Sequence, residues 1–556
     1  MNHGEKLLSL WKDYPTNQKK NTMNRLINII LSILSGLLLY AGWVPRPMFV
    51  ALFVAFIPLL WAEHQLSYIP KKSNTRVWLL SYVSFLLWNV LVTWWVGNTT
   101  EPFSGVLANV LNALLMTVPF VLFHITKKRT NPLLGYFSLP IYWIAFEYIH
   151  LNWDLSWPWL TLGNSLARYP YWIQWYEYTG VLGGSLWLLS INILGFLILR
   201  NVVLSASRAK TLIIRQGVAL FAVIGIPMLA SALIYHKVSN ASSGDVTKTV
   251  VVVQPNIDPY NEKFDFSRLR AQMDKLFRLS DQQSDSTTDY LVWPETAFPQ
   301  GILENNIVED ETTLELKQYM AQYPKADLIT GYSGYLRYDS AETETARTYD
   351  NGKCCFDAFN SAMQLNHRSP IQIHHKSKLV PGVEKMPYPK LFGFLESLSL
   401  DMGGMSGSLG RQEKPSVFFS ADSTGVAPVI CYESVYGEYI TEYVNRGANL
   451  IFIITNDGWW GATDGHIQHL YYGAMRAIET RRPVARSANT GISCFVNVLG
   501  EIEQAQPYWQ EGVIKQRLEA GFGKTFYVRF GDYVGRMMLY LSALILLYLI
   551  YYRLNK

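Results

Sequence analysis

Apolar residues fall along this 556-residue chain in two regimes. Up to about residue 236, and again from 537, they form long runs; between, they form runs of a few residues set among charged stretches. The long runs cover 26–42, 48–68, 77–96, 103–125, 133–150, 176–199, 212–236 and 537–551. A bilayer core takes roughly 20 apolar residues in a helix. The pattern therefore predicts eight membrane helices, seven before the short-run region and one after it, the fifth interrupted by Pro140 and Glu147. The loop 150–175 is rich in rings, among them Trp153, Trp157, Trp159, Trp172 and Trp175. Such rings read as a belt at the membrane surface or as one wall of an entrance for a lipid or acyl chain. Glu147, near the outer end of its span, reads either as a functional carboxylate or as one that reaches water.

The short runs read as buried strands. They lie at 249–253, 290–293, 328–332, 358–363, 371–374, 426–430, 449–454, 483–486 and 494–498, with 358–363 and 371–374 forming a hairpin. Helical spacing marks 262–280, 311–323, 438–446 and 470–479. A strand, a helix and a strand from 426 to 454 imply a parallel pair. The expected architecture is an α-helical multi-pass membrane bundle plus an α/β sandwich domain. It divides into an N-terminal tail (1–25), a membrane domain (26–236), a catalytic-type domain (241–535), a last membrane helix (537–551) and a tail (552–556).

Charge orients the bundle. Only 16% of residues are charged, against roughly 25% in a soluble domain. Lys71, Lys72, Arg76, Lys127, Lys128, Arg129, Arg200, Arg208 and Lys210 lie in alternate loops, and Arg553 and Lys556 follow the last span. The opposite loops hold Arg46 and Arg168. The positive-inside rule then puts the N-terminus in the cytoplasm and the sandwich outside it. The net charge of +5 lies mostly beside apolar runs and gives no sign of a nucleic-acid partner. Four cysteines, 354, 355, 431 and 494, are too few for a disulfide framework and show no zinc-like spacing.

Three reactive groups stand at strand ends: Glu295, Lys376 and Cys431. Open parallel sheets place chemistry at that rim. A cysteine is nucleophilic as a thiolate, a carboxylate in reach serves as its base, and a lysine steadies the thiolate and then an oxyanion. The set suits acyl transfer through a thioester; the alternative is a buried structural thiol. His374 and His375, adjacent on a strand, should diverge, and His466 with His469 on one helical face lacks an evident carboxylate partner, so no metal site is expected. Few polar residues interrupt the spans beyond Glu63, Asn89, Asn109, Asn112 and Glu147, which argues against a transporter.

The segments Val252-Val253-Gln254-Pro255-Asn256-Ile257, Trp293-Pro294-Glu295-Thr296, Lys376-Ser377-Lys378-Leu379-Val380-Pro381, Ile430-Cys431-Tyr432-Glu433 and Thr455-Asn456-Asp457-Gly458-Trp459-Trp460-Gly461 resemble the nitrilase superfamily. So do Thr525-Phe526-Tyr527 and Gly531-Asp532. The membrane frame narrows the resemblance to the apolipoprotein N-acyltransferase family. It implies an αββα sandwich with Glu295, Lys376 and Cys431 as catalytic triad. It implies supporting roles for Glu384, Tyr432 and Glu433, and substrate contacts for Phe264, Trp459 and Trp460. Two departures stand out: Phe-Gly before the second glutamate is Gly382-Val383 here, and Phe264 stands near where the family often has tryptophan. The resemblance further implies a phospholipid acyl donor, a diacylglyceryl-modified apolipoprotein acceptor and no cofactor. It places the enzyme in the bacterial inner membrane with the catalytic domain on the periplasmic side. Phe392, Phe394 and Leu395 are candidate cover for the thioester, and 403–408 a lid or bend, while the acidic insert 339–352 matches nothing. A membrane-anchored nitrilase-type amidase would carry the same triad but has no use for seven preceding spans. A sensor with a dead outer domain has no reason to keep the triad.

Overall fold

The computed structural model describes residues 18–69, 72–99, 102–204, 210–241, 246–340, 342–349, 354–388 and 408–555. Phe392, Phe394, Leu395, positions 403–407 and parts of the 1–25 tail and the 339–352 insert lie outside these residues. Among the described residues, seven helical segments are long and apolar enough to cross a membrane. They are Asn24–Ala41, Phe49–Ser67, Ser73–Asn98, Gly105–Arg129, Tyr176–Leu204, Lys210–Ser239 and Tyr533–Leu554.

That differs from the expected eight at one place. The stretch 133–150 does fold, as an unbroken helix Pro132–Leu151 that keeps Pro140 inside it. It lies outside that set, although its residues are mainly apolar. It packs instead between Pro102–Arg129 and Tyr533–Leu554, burying Leu139, Trp143 and Ile144 completely. The second stretch is also not one rod: a 3-10 turn Phe49–Phe53 precedes the helix Ile57–Ser67. Polar groups inside the bundle pair with one another, as burial in an apolar medium requires. Glu63 meets His124 Nδ1 at 2.5 Å and the Lys127 ammonium. Asn112 bridges Asn89 (2.6 Å) and His150 (2.7 Å). Glu147 is buried and accepts from Trp143 Nε1 (2.9 Å) and the Leu162 amide (2.8 Å), so it does not reach water.

The second part of the chain forms two sheets. One runs Gly512–Glu519, Thr247–Gln254, Tyr290–Val292, Asp327–Tyr338, Cys354–Leu365 and Arg347–Tyr349, with Phe298–Leu303 and Gln372–His375 paired to its flank. The other runs Ile502–Glu503, Cys494–Val496, Val484–Ala488, Ala448–Thr455, Gly425–Ile430 and Phe418–Phe419. The expected parallel pair is there: Gly425–Ile430 lies parallel to Ala448–Thr455, joined through the helix Gly437–Asn445. Several strands run longer than their apolar cores, Asp327–Tyr338 and Cys354–Leu365 most of all, because they pair antiparallel along their full length.

Side-chain alternation explains why the central strands are apolar on both faces. Val250, Val252 and Val292 from one sheet meet Leu450, Phe452 and Ile454 from the other. Val251, Val253 and Leu291 face out onto Leu276 and Leu316 of the first helical layer. On the second sheet, Ile451 and Ile453 face Tyr439, Ile440, Met475 and Ile478, and this cluster continues without a break into Trp43, Trp88 and Trp143 of the bundle. The four-layer sandwich thus shares its last layer's core with the membrane part.

The shared layer needs one close approach. Gly180, in the helix Tyr176–Leu204, has φ 60° and ψ −168°, a region open in practice to glycine alone. A Cβ there would lie 2.4 Å from the Tyr527 ring, which is seated by its hydroxyl on Asp532 at 2.6 Å. Gly180→Ala should therefore cost about 1–3 kcal/mol in backbone strain alone. Its unfolding temperature in detergent, read by fluorescence-detected size exclusion, should fall clearly below that of the parent.

Candidate active site

The strand Gly425–Ile430 ends in Cys431, whose φ is +47°. A non-glycine residue in the left-handed region is strained. Here the strain turns the chain sharply from strand into the 3-10 helix Cys431–Val435, lifting the thiol off the sheet rim. The turn is braced from behind. Ser434 Oγ (2.7 Å) and His469 Nε2 (3.0 Å) both donate to the Cys431 carbonyl. His469 Nδ1 lies 2.9 Å from Asp457 Oδ1, and the Arg486 guanidinium donates to the other oxygen of Asp457. Glu433, fully buried, accepts from the amides of Ser377 (2.6 Å) and Ile430 (2.9 Å), tying the cysteine turn to the segment that follows Lys376. Glu433 therefore points away from the cavity and holds the site's frame.

Glu295 leaves the rim of the first sheet just after Tyr290–Val292, and Lys376 follows Gln372–His375. Lys376 Nζ lies 3.2 Å from Glu295 Oε1 and 2.7 Å from Glu384 Oε1. Asn360 Nδ2 donates to the same two carboxylates, at 2.8 and 3.1 Å. Glu384 is fixed from its other oxygen by the Val380 amide at 2.8 Å. The change to Gly382-Val383 thus leaves the second glutamate on the lysine. Burial tends to raise the Glu295 carboxyl, but Lys376, Asn360 and Lys263 outweigh it and hold it below the usual carboxylate range. Burial tends to lower Lys376, yet Glu295 and Glu384 keep its ammonium well above the ordinary lysine value. Burial, helped by the Glu295 charge, pushes the Cys431 thiol up. At neutral pH the resting pair is then an ionised Glu295 carboxylate and a Cys431 thiol.

Glu295, Lys376, Glu384, Cys431 and Tyr432 line one cavity of about 310 Å³. Its other walls come from the bundle: Leu107, Leu111 and Leu115 on one helix, Trp95 beyond it, and Trp157 and Trp159 from the aromatic loop. The loop therefore serves as a cavity wall as well as a belt, since Tyr171 and Trp175 pack on Tyr235 and Trp187 instead. Trp460 packs edge-on to Trp95 (5.1 Å) and Trp159 (5.6 Å). Trp459 stacks on Phe264 with centroids 6.2 Å apart. Trp459 and Trp460 line the cavity, while Phe264 does not and lies behind Trp459. His374 and His375 diverge, one to Glu433 (3.3 Å) and the other to Glu304 (2.7 Å). Among the described residues, no group of three or more metal-binding side chains exists.

Two residues escaped the sequence reading. Lys263, beside Phe264, is buried and donates to the Glu295 carbonyl at 2.9 Å; burial lowers it to about 8. Asn360 sits mid-strand, where nothing but its polarity in an apolar run marks it.

Two family models match the chain: "Apolipoprotein N-acyltransferase N-terminal domain" over residues 35–194 and "Carbon-nitrogen hydrolase" over 249–522. The sandwich is thus an enzyme domain of the carbon–nitrogen hydrolase class, carried on a multi-pass membrane bundle. An apolipoprotein N-acyltransferase of Chlorobaculum tepidum is 31% identical over 545 residues, 95% of this chain and 98% of that one. Those of Geobacter metallireducens and Thermotoga maritima are 28% and 27% identical, over 90% and 94% of this chain and 91% and 92% of theirs. A solved Saccharomyces cerevisiae member of branch 10 of the nitrilase superfamily covers 50% of this chain and 92% of its own, with 15% identity and a TM-score of 0.35. The chain belongs to the apolipoprotein N-acyltransferase family.

Lys263 offers a test of the electrostatics. Its cation is one of three neighbours that hold the Glu295 carboxyl down. In Lys263→Met the carboxyl should titrate at higher pH, so the base is lost earlier as pH falls. The acid limb of the pH profile for Cys431 acylation should move up, with a several-fold lower rate below neutrality. A purely structural loss would lower the whole profile and leave the limb in place.

Proposed function

We propose that this protein transfers an acyl chain from a membrane phospholipid, through a thioester on Cys431, to the α-amine of a diacylglyceryl-cysteine apolipoprotein. The observation that carries this reading is the shared cavity: thiol, carboxylate and ammonium open onto walls supplied by membrane helices. An amidase acting on small soluble amides would have no use for such walls.

In this mechanism Glu295 takes the thiol proton as Cys431 attacks the ester carbonyl. Lys376, oriented by Glu384 and Asn360, steadies the oxyanion. The proton passes to the departing glyceryl oxygen, and the thioester remains. The acceptor amine then adds, Glu295 takes an N–H proton, the carbon–sulfur bond breaks, and the proton returns to sulfur. Tyr432, whose hydroxyl donates to the Ser156 carbonyl at 3.3 Å, closes the wall beside the nucleophile. Trp459 and Trp460 contact the acyl chains, and Phe264 supports Trp459 from behind. Residues 26–236 and 537–551 act as the membrane part, and 241–535 as the catalytic part. The lysine and arginine pattern supports an inner-membrane enzyme with its sandwich on the periplasmic side.

Incubating the purified protein with a defined diacyl phospholipid should add an acyl-sized mass at Cys431, read by intact-protein and peptide mass spectrometry. A diacylglyceryl-cysteine peptide should then remove it and gain it as an amide. Cys431→Ala should show no adduct, and Glu295→Gln should form it about 10²–10⁴ times more slowly, the usual worth of a general base. An adduct that forms but passes to water alone would favour the hydrolase.

A further inference from the structure

Glu295 borders more than one cavity. Besides the large one, a second of about 90 Å³ lies against it, lined by Lys263, Thr296, Ser333 and Asn360 among others. Glu295, Val383, Glu384, Asn456 and Trp459 line both; Cys431 and Lys376 line the larger and, among the described residues, not the smaller. Most of the residues lining the smaller cavity are polar, although Phe264, Val383, Leu409 and Trp459 supply a large part of its wall. A cavity of that size, with polar side chains in its wall, has room for several waters at roughly 30 Å³ each. The larger cavity is the more apolar, with leucine and tryptophan walls. Two compartments, the smaller the more polar, therefore share Glu295.

Trp459 stands on the boundary and is held as a panel. Its face lies on Phe264 at an interplanar angle of 26°, and the Tyr260 ring meets it edge-on at 5.2 Å. The Tyr260 hydroxyl donates to its carbonyl at 2.7 Å. The Asn456 amide orientation that satisfies its neighbours puts its oxygen 3.1 Å from Trp459 Nε1 and 3.2 Å from Lys263 Nζ.

We propose that the smaller cavity is a water compartment, and that Trp459 with Val383 is the partition that commits the Cys431 thioester to an amine instead of water. The proposal rests on the acyl-transfer reading above. With the partition open, water held by Glu295 adds to the thioester carbonyl and gives its proton to Glu295. The carbon–sulfur bond breaks, the proton returns to sulfur, and a free fatty acid leaves. The amine follows the same course with N–H in place of O–H, and being the better nucleophile it needs water only to be held back from the thioester.

The test uses the full chain in phospholipid–detergent micelles with a diacylglyceryl-cysteine peptide, reading free fatty acid against N-acyl peptide and the extent of Cys431 acylation. Trp459→Ala and Val383→Gly should each raise the acid-to-amide ratio about tenfold or more. Adding Leu409→Phe or Ser333→Val to Trp459→Ala fills the small cavity and should bring the ratio back toward the parent's. A ratio that stays at the parent's value in both opening variants, while Cys431 is acylated, overturns the proposal. So does a raised ratio that neither filling variant reverses, because the water then comes from the mouth of the large cavity. Should Trp459→Ala not acylate, Val383→Gly and Phe264→Ala, which removes the panel's backing, decide; failure of all three to acylate overturns the partition role. Absence of acylation on Cys431 in the parent protein would instead defeat the acyl-transfer reading.

Discussion

A lysine ammonium buried to 1% exposure is the constraint around which the site is built. Such a charge is costly unless paired and hydrogen-bonded. Lys376 is met by Glu295 and Glu384, and Asn360 ties the two carboxylates together. Removing any one partner leaves a buried charge short, a loss of about 3–5 kcal/mol for pairs of this kind. The same arrangement sets the chemistry, because it keeps Glu295 ionised beside a thiol that is not. Stability and reactivity here are one electrostatic balance, spread over two sheet edges and a loop.

The backbone serves that balance. Positive φ recurs just past three strand ends, at Asn256, Thr296 and Cys431. Each is a place where the chain must leave the sheet abruptly and put a side chain on the rim. Cys431 tolerates it because Ser434, His469 and Glu433 hold the turn from three directions.

How much of this could be read in advance follows from range. Buried strands and their C-terminal residues are local patterns, so Glu295, Lys376 and Cys431 were legible as rim residues, and the two-sheet sandwich followed from the order of runs. Asn360 and Lys263 were not, because their importance lies in contacts 65 and 32 residues away in the chain. The helix Pro132–Leu151 was legible as a helix, but the partners of its polar residues were not. Its polar residues look like interruptions, yet they are satisfied by neighbours that only the folded bundle supplies, such as Asn112 for His150 and the Leu162 amide for Glu147. The family resemblance located Glu384 and Trp459; the pattern of polar and apolar positions alone would have left them as loop residues.

The helix Asp464–Thr480 touches both worlds. From it Gln468 reaches the carbonyls of Val44 and Val92, and Tyr472 bridges Trp43 and the Trp159 carbonyl. From the same helix His469 holds the carbonyl of Cys431. Helices in a bilayer tilt to match its thickness, at a modest cost per ångström. A tilt of the first or third helix would therefore be passed along less than one turn of this helix to the Cys431 peptide group. The membrane bundle and the turn that carries Cys431 are thus parts of one mechanical unit.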